Sequence, residues 1–361
     1  MAKPKSILAE LAEQFLPQMT PSERREALTS LQGIIDAEFF KLAEEEAGRP
    51  DVACPHCGSL DFVKRGKDSL GKQRYKCRDC GRSFGGSAWK IFGTTKLTRE
   101  TWMRFAECRI DRLSLRDSAE RCGVCLKTAF FMRHRTLEAT RKHMPSFQVE
   151  AGCGAELDEA FFRESFSGNH ANSGFELPRE PFKHSGKGCA GKKEKHKRKR
   201  GLNKGQICVL MGINDTGDIF YEIAGRGPLT KARAMELLRD KVKAGAIIST
   251  DRASAYRDAE RELELACHNA FDAGEHKINR INNMHSQLEG FMDGFYGVST
   301  RRLENYLTWF KWEHSFKSGR TTREMSELVI KQAVQGTYDT TWREYKNTPH
   351  PFWDYWESAA A

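Results

Sequence analysis

Apolar residues recur at helical spacing before position 48, give way to short Gly-, Cys- and basic-rich runs between 50 and 85, and return at helical spacing between 97 and 145. Ile7, Leu8, Leu11, Phe15 and Leu16 share one stripe. Thr20 and Pro21 form an N-cap and N1 pair that opens a second helix through Leu28, Leu31, Ile34, Ile35 and Phe39. A small packing helical pair is expected there, with no chemistry of its own. Beyond 150 the period changes. Strands are expected at 156–162, 207–213 and 219–223, a helix from about 230 to 242, a strand at 246–250, a short strand near 263–268, and a long helical region from about 277 to 316. Strands alternating with helices after an opening set of strands argue an α/β domain. The fold class is therefore multidomain α+β. Its expected parts are an N-terminal helical segment (1–48), a Cys-rich module (49–90), a helical region (91–148), an α/β domain (149–325) and a C-terminal tail (326–361).

Composition narrows the partners. The 59 Lys+Arg against 49 Asp+Glu leave a net charge of +10, which favours an anionic partner, nucleic acid being the usual one. No secretory signal opens the chain and no apolar run reaches the ~20 residues of a membrane span, so a soluble, cytoplasmic protein without a membrane partner is expected. One block stands apart. Residues 181–206 hold 10 Lys or Arg and a single acid, Glu194, and read as a solvated insertion or as a phosphate-binding arm carrying Lys197, Arg198, Lys199 and Arg200.

Cys54 and Cys57 precede Cys77 and Cys80 by 19 intervening residues, two CxxC knuckles at the spacing of a four-cysteine zinc ribbon. Each knuckle supplies two thiolates from one turn, and two knuckles close a tetrahedral shell, so the metal is structural. Gly58 and Gly81 follow each second cysteine, where the backbone must be permissive. Lys64, Arg65, Lys67, Lys72, Arg74, Lys76, Arg78 and Arg82 surround the ribbon, which points to DNA, with a protein-docking ribbon as the alternative.

Residues 113–137 read as a helix ending at Cys122-Gly123 and a second beginning near Leu126, the layout of a DNA-reading helix-turn-helix. Ala119, Val124 and Phe130 occupy packing positions. Lys127, Thr128, Arg133 and Arg135 are expected to face outward, toward DNA.

The acidic candidates lie further on. Strand alternation puts Glu156, Asp158 and Ala160 on one face, and a carboxylate on a central strand is costly unless it binds something. Asp251 ends an apolar strand, where ligands gather, although a strand-end aspartate also serves simply as a turn former. Asn282, His285, Ser286 and Glu289 form a polar stripe at helical spacing that a solvated helix face explains equally well.

Taken together, residues 54–80, ELDEAFFRESF (156–166), STDRASAY (249–256) and INNMHSQLEGFMDGFYGVSTRRLENYLTW (281–309) resemble bacterial insertion-sequence transposases with an N-terminal zinc ribbon. The resemblance implies an RNase H-like catalytic domain with a mixed five-stranded sheet. It implies metal-dependent strand cleavage and strand transfer with Mg²⁺ or Mn²⁺, action on double-stranded DNA at terminal inverted repeats and target, and a homo-oligomer on DNA. The family pattern is two aspartates, an Asn or Glu, then a Lys seven residues later. It maps onto Asp158, Asp251 and Asn282, all metal ligands, and then departs from the chain, which has Glu289 in place of the lysine. Glu289 is either a third metal carboxylate or a mark of weakened activity. The alternative is a decayed or domesticated DNA-binding protein that keeps the ribbon and helix-turn-helix.

Overall fold

Local chemistry sets the first helix. Glu23 accepts from the Thr20 backbone N–H at 2.9 Å and from its hydroxyl at 2.7 Å, a reciprocal capping box that starts α1 (Pro21–Glu46). The computed structural model describes residues 14–46, 53–69, 71, 73–85, 92, 95–168, 205–251, 254–269, 278–295, 297–335, 345 and 348–360. Contacts divide the chain into two compact units, residues 1–140 with 320–339 and residues 141–319 with 340–361. The stretch 326–361, read as one tail in the sequence, is thus shared between them.

The first unit holds α1, a three-stranded antiparallel sheet of β1 (Phe62–Lys67), β2 (Gln73–Cys77) and β3 (Ser83–Gly85), and then α2 (Arg99–Ile110), α3 (Leu115–Cys122), α4 (Leu126–Arg141) and α9 (Thr322–Gln335). Thr98 and Ser114 cap α2 and α3, and Gly123 ends α3 in the left-handed region at φ 63°. The expected helix, glycine turn and second helix are all present. α9 lies against α1 and α2, where Arg323 pairs with Asp36, with Glu107 at 3.4 Å and with Glu327 at 2.7 Å.

The second unit is built on one five-stranded sheet in the order β6-β5-β4-β7-β8. β4 (Gly154–Arg163), β5 (Gln206–Asn214) and β6 (Ile219–Arg226) are antiparallel neighbours, whereas β7 (Ile247–Thr250) and β8 (Ala266–Asn269) run parallel to β4. Renumbered within the unit, the order is 3-2-1-4-5 with the two last strands parallel to the first, the RNase H-like arrangement expected above. Even and odd residues of β4 serve different faces. Leu157 joins Phe147, Leu210, Leu238 and Ile248 in the core under α5 (Lys231–Leu238) and α6 (Arg257–Glu262). Glu156 reaches the opposite side, where α7 (Asn279–Asp293) crosses β4 and β5.

The helical region expected as one run from 277 to 316 is two helices, α7 and α8 (Leu303–Phe316). The break falls where Gly294 closes α7 and Gly297 takes φ 111°, which a side chain resists. The last helix, α10 (Trp353–Ala360), gives the aromatic C-terminus a structural role. Arg226 stacks on Tyr355 at 3.6 Å, and its buried partner Glu164 also accepts from the Trp356 indole at 3.1 Å. Among the described residues no helix is long and apolar enough to cross a membrane.

Candidate active site and metal centre

The ribbon brings its four cysteines together. Cys54 and Cys80 lie 3.6 Å apart, as do Cys57 and Cys77, and one sulfur from each residue falls within 4.8 Å of every other. Four thiolates at about 2.3 Å from a tetrahedral zinc ion sit roughly 3.8 Å apart, so the donor set fits the metal with no open position. The knuckles are formed by backbone bonds, Gly58 N–H to Cys54 O at 2.8 Å and Cys77 N–H to Arg82 O at 2.9 Å, with Gly58 at φ 75° and Gly81 at φ 69°. Among the described residues of the ribbon, Cys54, Cys77 and Phe84 form the buried cluster, supported by Phe62, Tyr75 and Cys80. The described basic residues of the ribbon, Lys64, Arg65, Lys67, Arg74, Lys76, Arg78 and Arg82, are all exposed.

The helix pair corrects part of the sequence reading. Lys127 is exposed and Thr128 half-buried at the start of α4. Arg133 and Arg135 do not face outward, being 2% and 6% exposed. Arg133 donates to Leu113 O at 2.6 Å, tying α4 to the loop before α3, and Arg135 lies 4.7 Å over the Phe131 ring and 3.7 Å from Glu138. Arg133 shares the helical stripe of Ala129, Met132, Thr136, Leu137 and Thr140, all buried, and that period was the available signal. Lys197, Arg198, Lys199 and Arg200 lie outside the described residues.

Register builds the acidic site. β4 and β7 pair Gly154 with Ile247, Ala155 with Ile248 and Glu156 with Ser249. Two residues further along the same parallel register, Asp158 and Asp251 come side by side. Their carboxylates and that of Glu159 lie within 4.8 Å of one another. Glu159 was not among the sequence candidates, because alternation turns it away from Asp158. It meets Asp158 at Asp251, which follows the last residue of β7. The Tyr256 hydroxyl donates to Glu159 at 2.5 Å. Burial nonetheless pushes the Glu159 carboxyl up to about 7, aided by the two aspartates and opposed by the tyrosine. Burial likewise raises Asp158, against the Glu159 N–H and His285, which hold it down. Three crowded carboxylates, half-buried, are the donor chemistry a hard divalent cation needs.

The other candidates sit on α7. His285 Nδ1 is 3.5 Å from Asp158 Oδ2, and burial lowers its basicity while Asp158 and Glu289 raise it. Asn282 is exposed one turn before His285, and Glu289 is exposed one turn after it, outside the three-carboxylate cluster. Glu156 is occupied differently from Asp158. It is buried, accepts from Arg280 Nε at 2.7 Å and from the Ile281 N–H at 2.9 Å, and so holds the start of α7. Arg280 also donates to Asn214 O at 3.1 Å and to Asp215 at 3.2 Å. Glu156→Ala is expected to lower stability by about 2–3 kcal/mol, since it removes two hydrogen bonds to a charged acceptor while Arg280 keeps partial access to water. Denaturant unfolding measures this, and a change below about 0.5 kcal/mol would show the clip to be idle.

Comparison with known proteins agrees with the ribbon. Residues 51–81 match the family of InsA N-terminal domains, described as a zinc ribbon. Over 271 residues, 73% of this chain and 85% of the relative, the chain is 22% identical to an uncharacterized protein in transposable element ISH50 of Halobacterium salinarum. Solved structures overlap loosely. They include a simian T-cell lymphotropic virus intasome with a PP2A regulatory subunit, at 11% identity and TM-score 0.25 over 58% of this chain and 67% of that one. A pre-cleavage Mos1 transpososome matches at 12% identity and TM-score 0.20 over 64% and 78%. The fold assignment therefore rests on the strand order described above. By its InsA-type ribbon and its transposable-element relative, this chain is similar to insertion-sequence proteins that carry an N-terminal zinc ribbon.

Proposed function

We propose that this chain binds the terminal inverted repeats of an insertion sequence and cleaves and transfers their strands at the Asp158–Asp251 site. The observation that carries this reading is the convergence of Asp158, Glu159 and Asp251 within 4.8 Å on an RNase H-like sheet. Two Mg²⁺ or Mn²⁺ ions would supply an activated hydroxyl and stabilise the leaving oxygen at phosphorus. Asp158 and Asp251 would hold them, with Asn282 as a neutral oxygen donor reaching in from α7. Glu159, kept partly protonated by burial, is a further donor that metal would deprotonate. His285 orients Asp158, and the Glu156–Arg280 clip fixes the helix that carries both Asn282 and His285. The exposed cations of the ribbon and Lys127 at the start of α4 would contact phosphate and groove.

The experiment is an assay of the intact protein on double-stranded DNA containing the element's ends, with Mg²⁺ or Mn²⁺. Strand cleavage followed by joining of 3′-hydroxyls to target DNA is expected. A protein that binds ends yet never cuts with either metal would instead be the DNA-binding relic that Glu289 allows.

A further inference from the structure

Helix α8 turns one stripe toward the edge strand β6. Glu304, Leu307, Thr308 and Lys311 share one side of the helix by their spacing, and with Tyr221 and Ile223 they line a cavity of about 420 Å³. Arg141, the last residue of α4, and Met144 close it, and every lining residue belongs to the second unit. Its size falls within the roughly 300–1,000 Å³ of cavities that take small molecules. The acids of the lining are already engaged. Glu304 pairs with Arg141 at 3.1 Å, and Glu222 with Lys241 at 3.2 Å. Lys311 differs. It is half-buried and donates to the Pro145 carbonyl at 3.1 Å, which leaves two of its three N–H groups to give. Burial lowers its basicity, and Glu222 and Asp218 favour the charged form without pairing with it. Tyr221 buries its hydroxyl, so what it presents to the cavity is its ring.

We propose that this cavity holds one unpaired nucleotide, its phosphate on Lys311 and Thr308 and its base and sugar against Tyr221, Leu307 and Ile223. The complement of a half-buried ammonium without a counter-charge is an anion, and an anion offsets the cost that burial imposes on Lys311. A cation has no place here, since both acids of the lining are engaged. A bare inorganic anion would leave the apolar wall of Leu307, Ile223 and the Tyr221 ring unused. A basic groove beside an aromatic ring is the chemistry that holds a single strand, with the backbone on the charge and a base on the ring. A paired base stays in its stack and does not enter such a cavity without being turned out. A DNA strand and a free mononucleotide carry the same chemistry. The first source rests on the DNA-processing reading above, and the second does not.

Titration of the full-length, zinc-loaded protein tests the assignment. Thymidine monophosphate and inorganic phosphate are followed by phosphorus NMR, and a labelled oligothymidylate by fluorescence anisotropy. Lys311→Met and Thr308→Glu are each expected to weaken binding of the mononucleotide by about tenfold, the first by removing the charge and the second by setting an acid beside it. Lys311→Arg keeps the charge and is expected to bind like wild type, so that a loss in Lys311→Met traces to charge and not to folding. A parallel loss for oligothymidylate, with a salt slope shallower by about 0.7, marks the nucleotide as part of a strand. A loss confined to the monophosphate marks a free mononucleotide. Inorganic phosphate that binds as tightly as the mononucleotide would overturn the assignment, as would variants that bind all three probes like wild type. Strand cleavage does not enter these readouts. A chain that never cuts still supports the cavity if Lys311→Met loses the mononucleotide, and a chain that cuts normally loses the proposal if neither variant changes binding.

Discussion

Asp158→Ala and Asp251→Ala are each expected to reduce strand cleavage by roughly a thousandfold or more, a loss of at least ~4 kcal/mol of transition-state stabilisation. Each variant takes one carboxylate from a cluster whose members lie within 4.8 Å, and two-metal chemistry holds its ions only about 4 Å apart. Binding of end DNA is expected to survive both changes, because the exposed cations of the ribbon are untouched. That split between binding and cutting is the informative readout. It separates a catalytic role from a collapse of the sheet, and circular dichroism gives the control. Asp158→Ala is also expected to stabilise the metal-free protein slightly, since it relieves crowding with Glu159 and Asp251 that desolvation makes costly. Cleavage that persists at near wild-type rate in either variant would remove the site from the mechanism. Glu159→Gln discriminates further. It keeps the Tyr256 hydrogen bond but lacks the charge, so a drop in Mn²⁺ affinity marks Glu159 as a metal donor. Unchanged affinity marks it as a buried acid only.

Removal of zinc is expected to have the largest structural effect in the first unit. Chelation, or Cys77→Ala, should unfold residues 53–85 and abolish the contribution of the ribbon to DNA binding. A structural zinc site contributes on the order of 10 kcal/mol or more to its fold. The ribbon has little else, with Phe62, Tyr75 and Phe84 as its aromatic core and their ring centroids 5.2 to 5.7 Å apart. Helices α2, α3 and α4 should stay folded, because Trp102, Met103, Phe105, Met132 and Leu137 bury themselves without metal. Amide exchange reads this directly, as loss of protection confined to 53–85. A ribbon that keeps its protection with zinc gone would show the four thiols to be ornamental.

Helix, turn and knuckle were legible because their causes are local. The Thr20–Pro21 helix start, the Gly123 turn and the two CxxC turns each depend on a few adjacent residues, and their elements appear where the sequence places them. The strands were legible through their apolar runs, with the last one displaced to Ala266–Asn269. Arg133 and Arg135 were misjudged for a physical reason. Charge type argues exposure, but the period of α4 puts Arg133 among the buried stripe, and long aliphatic stems with a donor fork can satisfy themselves inside. Glu156 and Asp158 looked equivalent on one strand face. Only the helix crossing that face distinguishes them, by placing Arg280 on the first and His285 beside the second.

By itself the sequence determined a four-thiol metal module, a capped helical hairpin and an α/β domain whose acids sit on strands. These rest on interactions between residues close in the chain. Which acids meet was decided by tertiary structure alone. The parallel register of β4 and β7 sets Asp158 beside Asp251, and Tyr256 holds Glu159 at the same end. No periodicity encodes a register between distant strands. It is chosen by burial of Leu157, Ile248 and their neighbours, which tolerates no one-residue slip without turning the carboxylates into the core.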